Sequence, residues 1–178
     1  MTLLLCFSGQ IGSGKSSVSI TVADALGWRR TGFGDYLRAE IVRKGGDPTS
    51  REALQELGQS RVDADPVAFC RDVLDFGGFV ADEAFVIDGI RHVDIYDILE
   101  DLASPATARL IFLQAGEIVR AARVQPRRDH EDLARAEQHR VEAELRDELP
   151  ERADAVINAE LSFDEVVAAC IDRAKTWS

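Results

Sequence analysis

Gly9-Gln10-Ile11-Gly12-Ser13-Gly14-Lys15-Ser16 is a complete G-x-x-x-x-G-K-S stretch that follows the apolar run Leu3-Leu4-Leu5-Cys6-Phe7 and opens a helical pattern. A strand, a glycine-rich turn and a helix in that order make a phosphate-binding loop. The glycines let the backbone curl until successive N–H groups point inward at phosphate oxygens, and the start of the next helix adds its partial positive charge. In such a loop Lys15 reaches the β- and γ-phosphates and the Ser16 hydroxyl ligates Mg²⁺. Gly9, Gly12, Ser13, Gly14, Lys15, Ser16 and Ser17 are therefore the expected nucleotide-binding set, with ATP and Mg²⁺ as cofactors. Lysine is scarce here, occurring at Lys15, Lys44 and Lys175 alone, so its position between Gly14 and Ser16 argues against a chance match.

The chain has 178 residues, the size of one domain with a substantial core, and 1–178 is read as one unit. With 21 basic and 32 acidic residues its formal charge is −11, which repels nucleic acid and anionic membranes unless positive charge is concentrated locally. A phosphate ligand therefore calls for local arginine. Cys6, Cys70 and Cys170 are far apart and odd in number, so reduced thiols are expected, with neither a disulfide framework nor a zinc site. No basic N-terminal region precedes an apolar stretch with a cleavage site, and no run of about 18 apolar residues occurs. A soluble cytoplasmic protein is expected, with a small-molecule partner and neither nucleic acid nor membrane.

β-favouring runs recur at Leu3–Phe7, Phe85–Ile87, Leu110–Leu113 and Ala155–Ile157, with a weaker one at Arg29–Phe33. Between them Val18, Val22 and Leu26 share one helical face, as do Ile95, Leu99 and Leu102, and as do Val166, Val167, Cys170, Ile171 and Ala174. Thr49-x-x-Glu52 and Ser162-x-x-Glu165 read as capping boxes, and Asp65-Pro66 as N-cap and first helical residue. Alternation of strand and helix predicts an α/β P-loop NTPase fold, a five-stranded parallel sheet flanked by helices. Ligands then sit at the carboxyl ends of the strands. Helical patterns at Tyr36–Arg43, Arg51–Arg61 and Val67–Phe76 fill the long interval before Phe85 and predict an all-helical insertion over 35–80.

Phe85-Val86-Ile87-Asp88 ends an apolar strand in a carboxylate, which suits an acid beside the Mg²⁺ of a phosphate-loop site; the alternative is a turn residue before Gly89. Arg91 follows, and arginine can grip a second phosphate in bidentate fashion. Asp35 fits either an acceptor hydroxyl or a helix cap. Arg120, Arg123, Arg127 and Arg128 crowd the segment 120–130 of a strongly acidic chain; they form either a phosphate-closing lid or a surface loop paired with acids. His92, His130 and His139 lack metal-ligand spacing, and Glu142–Glu151 reads as a solvated helix face.

Gly34-Asp35-Tyr36-Leu37-Arg38 resembles the T-G-D-x-L-R segment of adenylate kinase and other nucleoside monophosphate kinases, and Ile87-Asp88-Gly89-Ile90-Arg91 resembles their L-D-G-F-P-R segment. Arg120 and Arg123, followed by Arg127-Arg128-Asp129, are similar to their lid arginines. The likeness runs through nearly the whole chain in the same order. It implies that the 35–80 insertion binds the acceptor and that 120–130 is a short lid. It also implies that Arg38 and Arg91 hold the acceptor phosphate; Asp35 and Asp88 complete the expected acceptor set, with Ser16 and Asp88 at the metal. Arg120 would lie near the ATP base, while Arg123, Arg127 and Arg128 act with Lys15 on the transferred group. Phe33 stands where these kinases carry a threonine near the acceptor base, and no proline precedes Arg91. The reaction implied is γ-phosphoryl transfer from ATP to a nucleoside or deoxynucleoside monophosphate. The alternatives are a dephospho-coenzyme A kinase, which the V-I-D-G-I-R-H form also resembles, and a non-catalytic nucleotide sensor. A GTPase would need an N-K-x-D segment, and none is present.

Overall fold

The computed structural model describes residues 2–124 and 143–178. Five strands, β1 (Leu3–Gly9), β2 (Arg29–Gly32), β3 (Phe85–Ile90), β4 (Thr107–Gln114) and β5 (Ala155–Asn158), form one parallel sheet in the order β2-β3-β1-β4-β5. The helices are α1 (Lys15–Leu26), α2 (Phe33–Arg43), α3 (Arg51–Ala64), α4 (Pro66–Phe76), α5 (Val93–Ala103), α6 (Glu117–Val124), α7 (Leu149–Arg152) and α8 (Phe163–Trp177), with a π-helical turn at Glu144–Glu148. The expected α/β architecture is thus the observed one.

A parallel strand covered on both faces needs apolar side chains at odd and even positions alike, which is why Leu3–Phe7 reads as an unbroken apolar run. Leu3, Leu5 and Phe7 face a core completed by Val18 and Val22 of α1 and by Val166, Val167 and Cys170 of α8. Leu4 and Cys6 face the opposite core, closed by Phe69 and Val73 of α4 and by Ile95 and Leu99 of α5. The two chemically similar halves of one strand thus hold two helical layers. Burial pushes the Cys70 and Cys170 thiols up to about 12 and moves Cys6 in the same direction, so all three are neutral packing groups.

Cap chemistry sets the helix starts. Asp65 accepts from the Ala68 N–H with Pro66 at the first turn, and Ser162 and Glu165 form a reciprocal capping box. At α3 the cap is Ser50, not Thr49: Ser50 Oγ accepts from the Ala53 N–H, while the Thr49 hydroxyl turns back to Asp47. Phe33 opens α2 instead of ending β2, because its ring packs edge-on against Phe69 at 5.1 Å. The stretch after Glu142 is more than a solvated face: Leu145 and Leu149 both insert into the core beside α5.

β3 carries the irregularity that matters for the site. Its register against β1 shifts between Phe7/Asp88 and Ser8/Ile90, leaving Gly89 as a bulge. Asp88 therefore lies within the strand and not in a turn, and the chain is re-aimed immediately beyond it. Among the described residues no helix is long and apolar enough to cross a membrane.

Leu99 is fully buried between the sheet and α4. Leu99→Ala is expected to cost about 2–5 kcal/mol in urea unfolding, because the rigid sheet cannot collapse into the space left.

Candidate active site

β1 delivers the loop to the centre of the sheet, where β3 and β4 flank it on opposite sides. The neighbouring connections diverge at such a point and leave a crevice at the strand ends. Gly12 has φ +82°, a left-handed conformation, and a Cβ there would meet the Arg120 carbonyl oxygen at 2.7 Å. Both facts require glycine. Gly14 is the N-cap of α1 and offers no side chain to the helix's first turn, so the dipole end faces the crevice without a capping group.

A cavity of about 1180 Å³ occupies this crevice. Gly12, Gly14, Lys15, Ser16 and Ser17 line one side of it, and Asp35, Arg38, Asp88, Arg91 and Arg123 share its wall. Gly9, Ser13 and Arg120 lie beneath it. Ser13 is buried; a Cβ on Gly9 would fall 2.6 Å from its hydroxyl oxygen, which has no hydrogen-bond partner among the described residues. Arg120 is also buried, with Nε donating to the Ala115 carbonyl at 3.2 Å and Nη1 to the Ile11 carbonyl at 3.3 Å. Arg123 braces the loop too: Nη1 donates to the Gly12 and Ser13 carbonyls at 3.4 Å and Nη2 to the Ala159 carbonyl at 2.6 Å. The first part of the 120–130 segment is accordingly helix, not open loop, while Arg127, Arg128, His130 and His139 lie outside the described residues. His92 packs beside Glu144, with Nδ1 and Oε2 3.2 Å apart.

Asp88 has only 5% of its side chain exposed, and Arg30 of β2 supplies its counter-charge at 2.6 Å. Arg30 also donates to Asp35 at 2.9 Å and to the hydroxyl of Ser19, which itself contacts Asp88. Burial works to lower the Arg30 pKa, but the Asp88 and Asp35 carboxylates outweigh it and leave the guanidinium above its ordinary value. Neither Arg30 nor Ser19 stands out in the sequence. The signal was present, since a charged residue inside a parallel strand needs a buried partner on a neighbouring strand. Gly32 makes room for the cluster: a Cβ there would lie 2.4 Å from Asp88 Oδ1 and 2.9 Å from Asp35 Oδ2.

The donor set suits Mg²⁺. Ser16 and Asp88 are hard oxygen donors lining the same cavity, and among the described residues no cluster of His, Cys, Asp or Glu could hold a metal unaided. Mg²⁺ characteristically takes one or two protein ligands and completes its shell with phosphate oxygens and water.

The chain superposes on a gluconokinase from Sinorhizobium meliloti over 98% of its length and 93% of that protein's, with TM-score 0.65 and 20% identity. A shikimate kinase from Aquifex aeolicus matches over 97% and 96%, with TM-score 0.55 and 16% identity. The chain shares the fold of these two proteins. In sequence, a UPF0200 protein of Aeropyrum pernix is 33% identical over 104 residues, 54% of this chain and 51% of that protein. The chain spans about half the length of the curated relatives it matches. No family model matches it.

Gly12→Ala is expected to strain the loop by about 1–3 kcal/mol, since a left-handed alanine is disfavoured even before the Arg120 contact is counted. Calorimetric titration with ADP should show at least about tenfold weaker binding in a protein that still folds.

Proposed function

We propose that the chain transfers the γ-phosphoryl group of ATP to a small phosphorylated acceptor, a nucleoside or deoxynucleoside monophosphate. One observation carries this reading: a single cavity is lined both by the phosphate loop and by Arg38 and Arg91. A site for a nucleotide alone needs only the first. At about 1180 Å³ the cavity also exceeds the roughly 300–1,000 Å³ typical of one small ligand. Phe33, Leu37, Leu54 and Phe69 give the acceptor side apolar surface, which suits a flat base better than a polyol, while the two arginines suit its phosphate.

The chemistry asks little covalent work of the protein. Phosphoryl transfer is accelerated by alignment of donor and acceptor oxygens and by neutralisation of spreading charge. Lys15 meets the β- and γ-phosphates, the N–H groups at the start of α1 face the same oxygens, and Arg38 and Arg91 hold the acceptor in line. Ser16 would hold a Mg²⁺ ion, with Asp88 behind it, and the ion would supply charge neutralisation for the transferred group. Arg123 keeps the loop in shape from beneath. Arg127 and Arg128 are assigned to the closing segment on the strength of the sequence resemblance, where they would exclude water and so favour transfer over hydrolysis.

ADP release should be assayed across nucleoside and deoxynucleoside monophosphates, dephospho-coenzyme A and gluconate. Acceptor-dependent ADP formation with a monophosphate supports the reading. Activity confined to dephospho-coenzyme A or gluconate would replace the acceptor assignment, and ATP binding without transfer to any of them would leave a nucleotide sensor. Lys15→Ala should fold normally and lose at least about 10²-fold in turnover. Arg38→Ala and Arg91→Ala should raise the acceptor KM while leaving ATP affinity nearly unchanged; a selective loss of ATP affinity would reverse that assignment. For Arg127→Ala, single-turnover transfer should slow by about 10²-fold, below the roughly 10³–10⁵ of a lone arginine finger because several arginines share the charge.

A further inference from the structure

Arg30 is not on the cavity wall, yet it joins two residues that are. From β2 its planar fork donates Nε to Ser19 Oγ at 3.0 Å, Nη1 to Asp35 Oδ2 at 2.9 Å and Nη2 to Asp88 Oδ2 at 2.6 Å. Ser19 accepts from Arg30, so its own proton is left for Asp88 Oδ2 or for the Ser16 carbonyl at 3.0 Å, of which the carboxylate is the stronger acceptor. Ser16 and Ser19 lie on the same turn of α1. The network therefore runs from the first turn of the loop helix, through Asp88, to Asp35 at the start of α2.

Its geometry leaves little freedom. The Arg30 side chain is 16% exposed and Asp88 is 5% exposed, and Gly32 is the residue whose missing side chain lets both carboxylates approach the guanidinium. Asp88 Oδ2 is occupied by Arg30 and Ser19 together, which fixes the carboxylate plane and leaves Oδ1 uncommitted by these two donors.

We infer that Arg30 is a positioning residue that aims Asp88 at the metal end of the cavity and Asp35 at the acceptor end through one rigid guanidinium. The inference rests on the reading above for the identity of the ligands. It does not depend on which acceptor is used. Lysine at this position would keep the charge, but a compact ammonium on a flexible stem cannot reproduce a fork that reaches three oxygens.

The test is calorimetry of ADP binding with and without Mg²⁺, on wild type, Arg30→Lys and Arg30→Gln, with melting temperature measured alongside. Arg29→Lys is the control, because Arg29 pairs with Glu83 on the surface and lies outside the network. In Arg30→Lys the gain in ADP affinity conferred by Mg²⁺ should fall by about tenfold, the size of loss typical when a group supporting a metal ligand is removed. ADP binding without Mg²⁺ should be unchanged, and Arg29→Lys should behave as wild type. If Arg30→Gln does not fold, Arg30→Lys alone decides. A lowered melting temperature with an intact Mg²⁺-dependent gain would overturn the inference and leave Arg30 a structural ion pair. So would a wild-type protein that binds ADP equally with and without Mg²⁺. A wild type with the Mg²⁺-dependent gain but no phosphoryl transfer would instead sink the kinase reading and leave the role of Arg30 standing.

Discussion

A carboxylate taken from water into a protein interior loses several kcal/mol of hydration, and only a well-placed counter-charge with further hydrogen bonds makes good that loss. Asp88 lies within β3, the strand that pairs with β1, and Arg30 on the adjacent strand meets this requirement. The other placements follow. Gly32 must be bare, Ser19 must turn inward from α1, and Asp35 must open α2 within reach of the same guanidinium. Removing Arg30 would leave Asp88 buried without its counter-charge, which is far costlier than removing a surface pair such as Arg29 with Glu83. The pair therefore ties the loop helix, two strands and the first helix of the 35–80 segment into one geometry.

A second set of arginines holds the loop from below. Arg120 and Arg123 rise from α6 and donate to carbonyls of Ile11, Gly12 and Ser13. In a trans peptide the N–H points opposite its carbonyl, so carbonyls held by these arginines turn the Gly12 and Gly14 N–H groups away from α6, the polarity an anion site requires, while the Ser13 N–H closes the turn on the Gln10 carbonyl at 3.1 Å. In the sequence these two arginines look like partners of Arg127 and Arg128, since all four fall close together. In the structure the helical spacing of α6 puts Arg120 and Arg123 against the loop's underside, where their charge acts on the backbone.

The fold was legible because its signals are local and redundant. The Leu3–Phe7 run, the loop motif and the helix with Val18 and Val22 inward each point to the same β-loop-α unit, and the later strands repeat the apolar theme. Asp88, Arg38 and Arg91 were legible as members of short motifs at strand ends. Arg30 and Ser19 were not, because each owes its role to a neighbour far away in sequence: Arg30 to Asp88 across β2 and β3, Ser19 to Asp88 from α1. Thr49 misled for a smaller reason. Ser50 and Thr49 are both competent caps, and the choice went to the residue not already engaged by Asp47.

Acceptor choice on such a scaffold is decided by what the helical segment after β2 presents, because the loop side is committed to phosphate whichever molecule receives it. Here that segment lines the cavity with Leu37 of α2, Leu54 and Val62 of α3 and Phe69 of α4, while Glu52, Gln55, Glu56, Gln59, Ser60 and Asp63 of α3 add hydrogen-bonding groups. A polyhydroxylated acceptor would lose hydration against the apolar side chains, and only the polar groups of α3 could make good that loss. A planar heterocycle would not: its faces lose little on leaving water, and its edge has few polar groups to satisfy. Arg38 and Arg91 line the same cavity and are the groups proposed to meet the acceptor's charged end. The nucleoside monophosphate proposal thus rests on the apolar side chains and the two arginines together, and the carboxylates of Glu52, Glu56 and Asp63 are what any acceptor in this cavity must also accommodate.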